Sequence, residues 1–147
     1  MPKALVVYGS TTGNTEMLAS YIADTMKEQG IDVRIGNVTD IDVEDLLNYE
    51  LILLGSSTWG DGELQDDFTA FYDDMEGMSL RGKRGAAFGP GDSSYEHFCA
   101  AVDLLEKKLK TCGAEIVAPA LKVDGDVTEA EDMAKQWAAQ IAGLVRA

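Results

Sequence analysis

At 147 residues and 46% apolar composition, the chain is long enough to bury about two thirds of its unfolded surface around one core, so a single domain over residues 1–147 is expected. Its 12 basic and 26 acidic residues leave a net charge of −14, which repels nucleic-acid phosphates and anionic lipid headgroups and argues against both as partners. Cys99 and Cys112 make neither a disulfide framework nor a zinc quartet, and no apolar run approaches the roughly 18 residues needed to span a bilayer; the expectation is a monomeric, soluble, cytoplasmic protein without a metal site.

Short apolar runs alternate with longer amphipathic segments, the pattern of βαβ units with a parallel sheet covered by helices on both faces. The first strand is predicted at Lys3 to Tyr8. A helix from Asn14 to Gln29 follows, with Leu18, Ile22 and Met26 at helical spacing and Gly30 placed to end it. Strands are then expected at Asp32 to Val38 and Leu51 to Gly55, with a helix from Asp40 to Leu47 between them. The continuous run Leu51-Ile52-Leu53-Leu54 suits a strand buried on both sides. Further along come a helix from Leu64 to Glu76, a strand from Gly85 to Gly89, a helix from Phe98 to Cys112 and a fifth strand from Glu115 to Pro119. The last helix opens with the capping-box pair Thr128 and Glu131 and carries Met133, Trp137, Ile141 and Leu144 along one stripe, read as core packing.

Three loops stand at the carboxyl ends of predicted strands. Gly9 to Thr15 places Ser10, Thr11, Thr12, Asn14 and Thr15 at the start of the first helix, with Gly13 allowing close backbone approach. A helix start offers unpaired N–H groups and a partial positive charge, so neutral side chains suffice to hold a phosphate there. Neither the P-loop pattern nor the Gly-x-Gly-x-x-Gly fingerprint is present, which disfavours ATP and NAD. Ser56-Ser57-Thr58-Trp59-Gly60-Asp61-Gly62 follows the third strand, and Gly89-Pro90-Gly91-Asp92-Ser93-Ser94-Tyr95 the fourth. In open α/β sheets ligands bind outside the carboxyl ends of strands, and two aromatics facing each other across that crevice can sandwich a flat π-system.

The stretches GSTTGNTE, SSTWGDGELQDDF and GDSSYEHFC, in this order, resemble the FMN-binding loops of flavodoxins, specifically the short-chain kind of sulfate-reducing bacteria. The resemblance runs over essentially the whole chain. It implies a flavodoxin-like doubly wound α/β fold with a five-stranded parallel sheet in order 2-1-3-4-5, one non-covalent FMN, and single-electron transfer between redox proteins. Carried over by position, Ser10, Thr11, Thr12, Asn14 and Thr15 bind the FMN phosphate, Ser57 and Thr58 lie along the ribityl chain, and Trp59 and Tyr95 cover the two ring faces. The backbone of Gly60, Asp61, Asp92, His97 and Cys99 meets the ring's polar edge; Gly13, Pro90, Gly91 and Phe98 complete the candidate set. Two departures are visible: the stretch between Trp59 and Leu64 is shorter than in several relatives, and Ser56 and Pro90 stand where those relatives often carry Cys.

Two features bear on the redox chemistry. The Gly60–Asp61 peptide can rotate to accept a hydrogen bond from the one-electron-reduced flavin, an interaction of roughly 1 kcal/mol. Asp61, Glu63, Asp66, Asp67, Asp73, Asp74 and Glu76 follow one another with no Lys or Arg between them. A carboxylate about 10 Å from the ring costs on the order of 1.7 kcal/mol at an effective dielectric near 20, or roughly 70 mV in a one-electron couple. The second couple is therefore expected to be strongly reducing, and the same surface to steer redox proteins with basic docking surfaces. The same stretch also reads as a solvated helix face. The rival function is an FMN-dependent NAD(P)H reductase; a phosphoryl-accepting receiver is disfavoured because the first strand ends Tyr8-Gly9 rather than in carboxylates, and a cofactor-free binding module remains a third reading.

Overall fold

The computed structural model of the protein describes residues 3–9, 13–59, 63–64, 66–91, 100–124 and 127–146. Strand β1 (Lys3–Gly9) leads into helix α1 (Asn14–Glu28) and strand β2 (Asp32–Asn37). Two short 3₁₀ helices, Val38–Asp40 and Val43–Asn48, precede β3 (Leu51–Ser56). A small hairpin, β4 (Thr58–Trp59) and β5 (Glu63–Leu64), precedes α2 (Asp66–Asp74) and β6 (Arg84–Gly91). Helix α3 (Ala100–Thr111), strands β7 (Glu115–Ile116) and β8 (Leu121–Asp124), a 3₁₀ turn Val127–Ala130 and helix α4 (Glu131–Arg146) complete the chain.

The main sheet runs β2-β1-β3-β6-β7, with β8 also paired to β6, and every pairing in it is parallel. Taking β7 and β8 as two pieces of one edge strand, this is the expected order 2-1-3-4-5. Alternation along the strands divides the core into two layers. Ala4, Val6, Leu51, Leu53, Ala86 and Phe88 pack with Leu18, Ile22 and Met26 of α1 and with Trp137 and Ile141 of α4. Leu5, Val7, Ile52, Leu54 and Ala87 pack on the other face with Phe68 and Phe71 of α2 and Leu105 and Leu109 of α3. Among the described residues no helix is long and apolar enough to cross a membrane.

Three expectations need correcting. The fifth strand is not continuous over Glu115 to Pro119: pairing with β6 stops after Ile116 and resumes at Leu121. Pro119, with no N–H to give to a ladder, lies in the gap. The gap is used, because the Trp137 indole Nε1–H donates to the Pro119 carbonyl at 2.8 Å while its ring meets Phe88 edge-on at 6.3 Å. The predicted helix at Asp40 to Leu47 is instead the pair of 3₁₀ turns, with Ile41 and Asp42 extended between them. In α4 the stripe is displaced: Trp137 and Ile141 are buried as expected, but Met133 and Leu144 are 52% and 51% exposed. The buried face is built from Ala134, Ala138 and Ala142, whose small side chains let α4 lie close against Ala19 and Ala23 of α1.

Replacing Trp137 with Phe keeps the ring and removes the indole donor, so urea denaturation should show a loss of about 1 kcal/mol. Met133→Gln should stay within about 0.5 kcal/mol of the parent. An equal loss in both would contradict the placement of the α4 buried face.

Candidate functional site at the carboxyl edge of the sheet

β1 lies between β2 and β3, and its register pairs Gly9 with Ser56. The chain leaves β1 toward the α1 face and leaves β3 toward the α2 face, so a crevice opens where the winding direction reverses. All strands of the sheet being parallel, the segments after β1, β3 and β6 emerge at this same edge.

At the first segment, α1 starts behind Gly13, which sits at φ 90° as the N-cap and, being glycine, has no side chain of its own to cap the helix. That left-handed conformation is inexpensive only for glycine. Thr15, in the first turn, is fully buried, and its Oγ1 has no hydrogen-bond partner among the described residues. A buried hydroxyl left orphaned is costly, and a helix start directs amides at an anion. The donor set therefore fits the ester phosphate of FMN: neutral hydroxyl and amide groups around a partial positive charge. Asn14 is exposed at the same turn. Just before the loop, the Tyr8 hydroxyl donates to Glu16 Oε1 at 2.7 Å. Burial, reinforced by the Glu16 carboxylate and by Asp40, pushes the Tyr8 phenol up to about 12.

At the second segment, Ser56 is fully buried and its hydroxyl donates to the Ser57 carbonyl at 2.8 Å. Thr58 and Trp59 belong to a hairpin whose backbone pairs Trp59 with Glu63 rather than to an open loop. The Gly60-Asp61-Gly62 turn sequence was the available signal for it. At the third, Pro90 and Gly91 extend β6 beyond its predicted end and pair with Val123 and Asp124. A Cβ on Gly89 would strike the Ser56 carbonyl oxygen and approach Val102 Cγ2 at 2.6 Å. Glycine here holds the ends of β3 and β6 together. Of the predicted site residues, Gly13, Asn14, Thr15, Ser57, Thr58, Trp59, Pro90 and Gly91 are thus brought to one edge, whereas Ser10, Thr11, Thr12, Gly60, Asp61, Asp92, Tyr95, His97, Phe98 and Cys99 lie outside the described residues. Sequence reasoning missed Tyr8, Glu16 and Gly89, whose roles arise from adjacency in space.

The acidic stretch also needs correction. Helix α2 runs from the carboxyl edge back toward the amino edge, about 13 Å at the usual helical rise. Asp73, Asp74 and Glu76 are carried away from the crevice, and Glu76 meets Lys108 Nζ at 2.9 Å. That hydrogen bond and charge hold the Glu76 carboxyl below its ordinary range. Lys108 is itself buried, 4.2 Å over the Tyr72 ring. Cys112 is a buried thiol donating to the Met75 carbonyl at 3.4 Å, its pKa raised by burial, which is a structural role. No group of three His, Cys, Asp or Glu positioned to hold a metal occurs among the described residues.

The statistical model of the family described as Flavodoxin matches residues 6–137. A flavodoxin of Maridesulfovibrio salexigens is 49% identical over 99% of this chain and 100% of its own length, and one of Nitratidesulfovibrio vulgaris 44% identical over 96% and 97%. Among solved structures, oxidised Flavodoxin 2 from Bacillus cereus superposes with a TM-score of 0.93 at 39% identity, covering 97% of this chain and 99% of that one. The chain belongs to the flavodoxin family, and within it is similar to the short-chain proteins of sulfate-reducing bacteria. It is an FMN-binding electron carrier rather than an enzyme, and nothing favours the NAD(P)H reductase reading.

Gly89→Ala should cost about 1–3 kcal/mol in chemical denaturation, since both neighbours of the added methyl are packed. Near-parent stability would mean that β3 and β6 do not need this close approach.

Proposed function

We propose that the phosphate of FMN is held at the start of α1 by Ser10, Thr11, Thr12, Asn14 and Thr15, with Gly13 giving the backbone its approach. The observation that carries this reading is the buried hydroxyl of Thr15, without a hydrogen-bond partner among the described residues, in the first turn of a helix whose N-cap is a glycine. Ser57 and Thr58 lie along the ribityl chain, Trp59 and Tyr95 cover the ring faces, and the backbone of Gly60, Asp61, Asp92, His97 and Cys99 addresses its polar edge, with Pro90, Gly91 and Phe98 completing the wall. Bound FMN supplies one-electron chemistry. The protein contributes three things to it. The neutral nest binds without adding a counter-cation, the Gly60–Asp61 peptide offers its carbonyl to accept a hydrogen bond at the ring edge, and nearby carboxylates oppose a second negative charge.

The chain acts as one domain over residues 1–147, as a monomer in the cytoplasm, with basic redox proteins as partners. A cleft of about 630 Å³ supports the partner reading: Val38, Ile41 and Phe71 form its apolar floor, and Asp42, Glu44, Asp67 and Asp74 bring negative charge to its walls. Opposite charge on a partner accelerates encounter and makes it fall with salt.

Calorimetry of FMN with apoprotein tests the phosphate site. Thr12→Ala combined with Asn14→Ala should weaken binding about tenfold or more while leaving riboflavin binding unchanged; unchanged FMN affinity would remove the nest. Neutralising Asp61, Glu63, Asp66 and Asp67 together should raise the second reduction potential by tens of millivolts per carboxylate, roughly, in a spectroelectrochemical titration. A fixed potential would leave the acidic stretch as a solvated surface only.

A further inference from the structure

Glu16 is an acidic residue in the first turn of α1, three positions after the N-cap Gly13. That is the position from which a glutamate ordinarily folds back over the helix start, satisfying an amide and placing its own charge against the positive end of the dipole. A carboxylate there competes with any anion arriving from outside. In this protein its Oε1 instead accepts the Tyr8 hydroxyl at 2.7 Å. Tyr8 is buried in the core between the sheet and α1, so its hydroxyl is a fixed post rather than a mobile surface group. The bond ties the end of β1 to the first turn of α1 across residues 9–15, and among the described residues Asp40, after β2, also acts on the phenol.

We propose that Tyr8 is a positioning residue for cofactor binding: by holding the Glu16 carboxylate aside, it keeps the amino end of α1 open to a phosphate ester. The inference rests on the phosphate reading above and concerns a pair that does not itself touch the ester. Tyr8 acts through Glu16. Without the phenol hydroxyl, the glutamate is free to swing over the helix start, and its negative charge then opposes the incoming dianion.

The test compares FMN with riboflavin, which has the ring and ribityl chain but no phosphate, by calorimetry on apoprotein. Tyr8→Phe should weaken FMN binding about tenfold and leave riboflavin binding unchanged. Glu16→Gln should bind FMN at least as tightly as the parent. The double variant Tyr8→Phe with Glu16→Gln should recover to within about twofold of the parent, because the freed side chain no longer carries charge. Equal weakening toward both ligands would make Tyr8 a general packing residue and overturn the proposal. So would a double variant no better than Tyr8→Phe, or a Tyr8→Phe protein with parental FMN affinity. The Thr12/Asn14 variant separates the two levels: if that variant keeps full affinity the phosphate reading itself fails, whereas if it loses affinity and Tyr8→Phe does not, only this inference fails.

Discussion

The reversal of winding direction between β1 and β3 is the constraint on which the rest of the molecule depends. It puts α1 on one face and α2 on the other, and leaves two adjacent strand ends, Gly9 and Ser56, whose outgoing segments diverge. A crevice between them costs no buried backbone partner, because the strands have already completed their ladders. The third wall is set by contact rather than topology. Gly89 lies so close to the Ser56 carbonyl and Val102 that β6 cannot withdraw without opening the core beneath it. Side chains around the ligand are therefore positioned by packing that begins several residues below them.

A protein of net charge −14 that takes up an anion must do so by arrangement of dipoles. In the phosphate reading proposed above the start of α1 provides them, while the Glu16 carboxylate in its first turn is engaged by Tyr8. Several cations finish backbone ends at the opposite edge. Lys83 Nζ donates to the carbonyls of Leu47 and Tyr49, Arg84 donates to Leu144, and Lys108 pairs with Glu76. The Lys83 and Arg84 contacts satisfy carbonyls at helix ends and strand starts at the amino edge.

Legibility in the sequence followed burial. β1 and β3 are buried on both faces, so their apolar runs predict them to within a residue. The fifth strand failed where a tertiary partner decided: Trp137 takes the Pro119 carbonyl that a continuous ladder would have used. In α4 the hydrophobic stripe misled because close helix packing selects alanine, which weighs little in any apolar pattern, while Met133 and Leu144 face water. The helix start with Gly13, Asn14 and Thr15 was readable because its chemistry is local. The Tyr8–Glu16 bond and the Gly89 approach were not, since each joins elements that only folding brings together. Asp73, Asp74 and Glu76 show the converse error, where neighbours in sequence are carried apart by a nine-residue helix running back along the sheet.

The interruption at Pro119 also shapes how the sheet ends. An outer strand that runs unbroken offers a row of amides and carbonyls on which a second chain can zip. Here a visitor would find the two residues of β7, then a proline, then the four of β8, with Glu115, Lys122 and Asp124 standing charged along the way. No register gains enough consecutive bonds to hold. The fold thereby gives up part of its own ladder and presents a broken, charged margin in place of a continuous template.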